Sequence, residues 1–157
     1  MKQQIKFSIF SQAITFGILI LFVVGTVSLS DNESKLIMFC IIMGLVTITG
    51  LYFCPKSIEA TESEIVLHKL ISHSQTLDYE EIESVKQFYP TVGIRLCGSG
   101  GFFGYWGYFR DLQIGAFIGF YGSSDNCFLV KMKDGRQYVL GCKDANELIP
   151  YIQSHLF

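Results

Sequence analysis

The sequence predicts a membrane-anchored α+β chain. A two-helix transmembrane hairpin occupies residues 1–55, and a β-rich domain of about seven strands, capped by a C-terminal helix, occupies 56–157. Three observations predict it. Phe7 to Ser30 and Leu36 to Pro55 contain no Asp, Glu, Lys or Arg, and only Asp31-Asn32-Glu33-Ser34-Lys35 separates them. Short strand-like runs broken by turn residues follow from Ser57 to Leu140. Leu148, Ile149, Ile152 and Leu156 then recur at helical spacing.

The apolar run 7–29 exceeds the length of about 20 residues that a membrane-crossing helix needs, enough to span with some tilt, and the run 36–54 is close to that minimum. Pro55 ends the second, because proline disfavours helix in the residue before it. A cleaved signal peptide is the alternative for the first run, with Lys2 and Lys6 as its basic region. The run exceeds the usual apolar core of about 7–15 residues, and no clear Ala-x-Ala site follows. Lys2, Lys6 and Lys56 flank the hairpin, whereas only Lys35 lies in its turn, so the positive-inside rule predicts both termini in the cytoplasm of an inner-membrane, multi-pass protein. Neither run holds an ionisable acid, base or histidine, which argues for an anchor rather than an ion path. Ala13, Gly17, Gly44 and Gly50 allow close helix approach. Packing within the hairpin is the first reading, and homo-oligomers through the transmembrane helices the second.

The remaining residues suffice for one small domain. Residues 57–157 carry eight Lys/Arg against twelve Asp/Glu, a formal charge of −4. Such a domain gains nothing from phosphate neutralisation, so nucleic acid is not an expected partner. Cys40, Cys54, Cys97, Cys127 and Cys142 are odd in number and show no CxxC spacing, which fits a reducing compartment.

Strands are expected at Ser57–Thr61, Ile65–Leu70, Ser84–Tyr89, Ile94–Cys97 and Leu112–Tyr121, with a polar or helical turn over Asp78–Ile82. Cys127–Met132 and Gln137–Leu140 form a hairpin across Asp134-Gly135, a strong turn signal. Asp144 with Glu147 three residues on resembles a capping box. Pro150 places the start of regular helix nearer Glu147.

Seven or so strands and one terminal helix is the pleckstrin-homology (PH) plan, and particular segments carry that resemblance. They are Leu77-Asp78-Tyr79-Glu80-Glu81-Ile82-Glu83-Ser84-Val85, the glycine-aromatic stretch from Gly98 to Phe109, the strand ending Gly119-Phe120-Tyr121, and Phe128 to Tyr138. Over residues 50–157 the chain resembles bacterial PH-domain proteins with a short N-terminal transmembrane hairpin. The resemblance implies a PH-like β-barrel or sandwich and a membrane address. It carries no defined activity and no catalytic residues. Lipid-binding PH domains use a basic loop between the first two strands, and here that loop is Thr61-Glu62-Ser63-Glu64, whose two carboxylates cannot pair phosphate.

Residues 98–109 interleave five glycines with Phe102, Phe103, Tyr105, Trp106, Tyr108 and Phe109. A nucleotide loop is excluded by the absence of Gly-Lys-Ser/Thr and by Phe103 at the third glycine position of the dinucleotide pattern. Interfacial membrane contact remains open, since Trp and Tyr favour the headgroup level. So do a tight connection that closes the sheet and a partner-binding surface. Lys131, Lys133 and Arg136 around the Asp134-Gly135 turn are candidate weak anion contacts, or a solvated hairpin tip.

His68, His73 and His155 have no metal-ligand spacing, and no nucleophile–base set emerges. No enzyme activity, metal or cofactor is therefore expected. The expected function is a non-enzymatic, membrane-anchored binding or scaffold module recognising a protein or peptide. The alternative is a membrane-surface lipid sensor using residues 98–109.

Overall fold

The computed structural model describes residues 1–91 and 94–156. Strand β1 (Lys2–Gln4) precedes two long helices, α1 (Ile9–Ser28) and α2 (Glu33–Phe53). Ser8 caps α1 by accepting from the Ser11 N–H at 3.1 Å, so this helix starts two residues later than its apolar run. Asn32 caps α2 by accepting from the Lys35 N–H at 3.1 Å, which starts that helix inside the polar turn rather than at Leu36. Both helices are long and apolar enough to cross a membrane. Ser11 is the buried residue of α1 and Gly50 that of α2.

The chain continues as β2 (Pro55–Ala60), β3 (Glu64–Lys69), β4 (Gln75–Asp78), a 3-10 turn over Tyr79–Glu81, β5 (Ile82–Gln87), β6 (Ile94–Gly101), β7 (Gly104–Asp111), β8 (Gly115–Tyr121), β9 (Cys127–Met132), β10 (Gln137–Gly141) and α3 (Ala145–Gln153). The described residues form ten strands in two open sheets, of order β1-β2-β3-β4 and β5-β9-β10-β8-β7-β6. This corrects the expectation of about seven strands and of a barrel. No ladder closes either sheet among the described residues. The additional strands are β1, β4 and β7, and β6 runs past the expected Ile94–Cys97 to Gly101, into the glycine-aromatic stretch. β8 and β10 run parallel, while the other neighbours are antiparallel.

Alternation along the six-stranded sheet serves two cores. Phe128, Val130, Met132, Tyr138, Leu140 and Phe120 point to one face and meet Ile58, Ile65, Leu67 and Leu77 of the other sheet, with Leu148 and Ile152 of α3. Cys127, Leu129, Val139, Phe117, Tyr121 and Phe109 point to the opposite face and form a smaller cluster. β9 is therefore buried on both sides and reads as a nearly continuous apolar run.

Asp144 caps α3 by accepting from the Asn146 N–H at 2.9 Å. The helix begins at Ala145, not near Glu147, and takes Pro150 into its interior. Glu147 does not close a capping box. It accepts from Gln3 Nε2 at 3.1 Å, and Gln3 Oε1 accepts from the Asp144 N–H at 2.9 Å. A buried glutamine of β1 thereby ties the N-terminus to the C-terminal helix. Gln3→Ala removes both bonds, and because Asp144 and Glu147 are exposed to water it is expected to cost about 1 kcal/mol, measured by chemical denaturation.

Asp111 ends β7 and is buried. It accepts from the Gln113 N–H at 2.7 Å and the Thr91 hydroxyl at 2.8 Å. Burial pushes this carboxyl up, but the N–H groups of Gln113, Thr91 and Ile114 and the Thr91 hydroxyl outweigh it and hold the group below its ordinary 3.8. A depressed carboxyl contributes stability above its unfolded value and loses it as the pH falls through 3.8 and below. Acid titration of unfolding is expected to show this loss in the wild type. Asp111→Asn is expected to be less stable at neutral pH and to show a shallower acid limb.

Candidate functional site

The six aromatic candidates lie on one β-hairpin. β6 and β7 pair from Ile94↔Arg110 to Gly101↔Gly104, leaving Phe102-Phe103 as a two-residue turn. Leu96 is the extra residue of a bulge between Arg95 and Cys97. Gly98 and Gly107 stand opposite each other with φ of 117° and 121°. A Cβ on Gly98 would lie 2.1 Å from the Trp106 carbonyl oxygen, and one on Gly107 would lie 2.2 Å from that of Cys97. Glycine is required there, because two backbones pass through the space a side chain would fill.

The turn of this hairpin is wedged against the ends of α1 and α2 that adjoin the sheets. Ser11 Oγ donates to the Gly101 carbonyl at 2.6 Å, and the Phe103 N–H donates to Thr15 Oγ1 at 3.0 Å. Phe102 and Phe103 pack on Gly50, where an added Cβ would lie 2.7 Å from the Phe103 ring. The Phe102 carbonyl accepts from Ser99 Oγ at 2.8 Å and from Trp106 Nε1 at 3.3 Å, which closes the turn internally. The stretch read as a connection is thus a structural joint between helices and sheet.

The other four aromatics divide by strand parity. Trp106 and Tyr108 face a groove of about 710 Å3 bounded by Thr49 and Phe53 of α2 and by Ile118, Phe120 and Tyr138. Trp106 stacks on Phe53 with ring centres 5.0 Å apart, and Tyr108 is 57% exposed. The Lys69 ammonium lies 4.9 Å from the Phe120 ring centre, and burial lowers its pKa. Tyr105 and Phe109 face the opposite side. There Tyr105 stacks on Tyr121 at 4.8 Å and Phe109 on Phe117 at 5.5 Å, beside a second groove of about 640 Å3 that Arg95 and Phe10 also line.

The three basic candidates are not gathered into one anion site. Lys131 pairs with Glu83 at 2.9 Å, and Arg136 pairs with Asp134 at 2.5 Å and donates to the Tyr138 hydroxyl at 3.2 Å. Hydrogen bonds from the Arg136 backbone and side chain hold the Asp134 carboxyl below its usual range. His68 bridges Glu59 at 2.8 Å and Ser74 at 3.0 Å, while Lys2 also reaches Glu59 at 3.2 Å. All five cysteines are free thiols.

Sequence reasoning missed the joint at Ser11, Thr15 and Gly50. The one available signal was a pair of hydroxyls at i and i+4 on an otherwise apolar helix. Expected packing of Gly17 and Gly44 within the helix hairpin is also corrected: nothing lies within 4 Å of a Cβ built on either, whereas Gly25 accommodates the Phe39 ring. Comparison of the chain with protein-family models, with characterised proteins and with solved structures finds no match in any of the three.

Proposed function

We propose that this protein is a non-enzymatic binding or scaffold module, anchored in the inner membrane by α1 and α2, whose PH-like domain faces the cytoplasm and recognises a protein or peptide partner. The observation that carries the reading is the aromatic groove at the foot of α2, where Trp106 and Tyr108 present amphipathic rings over an apolar floor of Ile118 and Phe120. Tyr and Trp so placed supply large contact area and a polar handle, the composition of protein-recognition surfaces. The pairing of β1 with β2 supports a common side for both helix ends that adjoin the domain. The lysine bias of the flanks supports a cytoplasmic location for that side.

The joint at the helices favours one further reading, a surface sensor. Phe102 and Phe103 sit among Ser11, Thr15 and Gly50, within the first two turns of α1 and the last turn of α2. Leu70 and Ile71 are exposed in the β3–β4 turn, where the Leu70 N–H donates to the Cys54 carbonyl at the end of α2. In this reading the four side chains would meet the headgroups.

Cross-linking in native membranes separates the two readings. Tyr108→Ala and Ile118→Ala are expected to weaken cross-linking to a partner protein while the chain stays resistant to carbonate extraction. Adducts formed with lipid alone, or partner adducts indifferent to both substitutions, would favour the surface sensor.

A further inference from the structure

We propose that the outer edge of β6 over Ile94–Cys97 is the docking strand of this domain, and that it receives an extended acidic segment of a partner protein as an added β-strand. The proposal rests on the partner reading above and specifies the surface and the chemistry.

Four strands stand at sheet edges, and they differ in how open they are. β1 has only three residues, and β4, Gln75–Asp78, carries polar side chains at three of its four positions and ends on an acidic one. β5 is covered by α3, where Gln153 Nε2 donates to the Val85 carbonyl at 2.8 Å. β6 has eight residues and pairs with β7 alone. Its far end leans on α1 through Gly101. Over Ile94–Cys97, the backbone groups that face away from β7 find no partner among the described residues.

The side chains there are apolar and exposed, Ile94 at 68% and Leu96 at 58%. An open edge of this kind recruits another strand unless it is blunted. The bulge at Leu96 restricts which strands fit, so the edge selects its partner and does not aggregate freely.

Charge complementarity fixes the occupant. Arg95 and Arg110 are exposed and make no ion pair or side-chain hydrogen bond among the described residues, although the domain as a whole is acidic. Arg95 shares a face with Phe109, and Arg110 shares the opposite face with Ile94. Successive residues of a strand point to opposite faces, so two adjacent acidic residues in the added strand meet one arginine each. The two aromatic grooves on either side of the hairpin then receive the flanking side chains, the arrangement by which strand addition gains specificity. A lipid surface does not fit this edge, because Ile94 stands seven residues above the helix contact at Gly101, about 23 Å at the usual strand rise.

The test uses full-length protein in nanodiscs of zwitterionic lipid and a fluorescein-labelled peptide that alternates valine and threonine around two central glutamates. Anisotropy is expected to show saturable binding. Affinity should fall at least tenfold when the glutamates become glutamines, and as much in Arg95→Gln. Binding should vanish when proline replaces alternate peptide residues, and in Leu96→Lys, with Trp106 emission unchanged to show an intact hairpin. No saturable binding, equal binding of the glutamine peptide, or retained binding of the proline peptide would overturn the proposal. So would a protein that is dimeric by light scattering and becomes monomeric in Leu96→Lys, since a second copy would then occupy the edge. Partner cross-linking that depends on Tyr108 but is indifferent to Leu96→Lys would remove the edge and leave the partner reading standing.

Discussion

Gly98→Ala and Gly107→Ala are each expected to destabilise the protein by about 4 kcal/mol, the largest single-residue effects in the domain. Two penalties combine. The first is a non-glycine residue at φ of 117° or 121°, worth about 1–3 kcal/mol. The second is a methyl placed 2.1 or 2.2 Å from a carbonyl oxygen of the facing strand, which only separation of the two strands relieves. Gly115→Ala is the control. Its φ is 78°, yet nothing lies within 4 Å of its Cβ, so it carries the first penalty without the second. Denaturation of the full-length chain in detergent, followed by the emission of Trp106, its one tryptophan, reads all three. Equal losses for Gly98→Ala and Gly115→Ala would show that the close crossing of β6 and β7 contributes nothing beyond backbone strain.

Gly50→Leu is expected to uncouple the domain from the helices at a cost of about 3 kcal/mol. An added Cβ would meet the rings of Phe103 at 2.7 Å and Phe102 at 2.8 Å, so the turn must withdraw. Withdrawal breaks the bonds from Ser11 to the Gly101 carbonyl and from the Phe103 N–H to Thr15. It also disturbs Trp106, whose indole N–H is held by the Phe102 carbonyl and whose ring stacks on Phe53. The expected readout is a red-shifted emission and faster proteolysis between α2 and β2, without loss of membrane association. Gly44→Leu, in open space on the same helix, is expected to change neither. If the two variants behave alike, the turn is a passive neighbour of the helices and not a joint.

Both results turn on a segment whose role was hidden in the sequence. Glycine ordinarily weakens strands, so residues 98–109 read as a loop between short strands. In the fold they supply the turn and the adjoining parts of two eight-residue strands, because Gly98 and Gly107 relieve each other's clash across the pair. That relief is a property of two residues meeting, which no local pattern encodes. β1 was hidden for a similar reason. Three residues carry no period, and their strand exists because β2 offers a ladder and Gln3 finds Asp144 and Glu147 across the molecule. By contrast, the β9–β10 hairpin and the apolar face of α3 were legible, since Asp134-Gly135 and the recurrence at Leu148, Ile149 and Ile152 are local signals. The candidate site was legible in part. Its six aromatics were named, but not their division into a wedge and two groove walls, nor that Arg95 and Arg110 make no ion pair among the described residues.

The sequence by itself determined two long apolar helices, a short polar turn between them, a β-rich domain and a terminal helix. Charge-free length, period and turn chemistry act over a few residues and need no partner. Only the tertiary structure decided that the sheets stay open at β6, that the aromatics divide between two faces by strand parity, and that Ser11, Thr15 and Gly50 bind the hairpin turn to the helices, because each depends on residues far apart in the chain meeting.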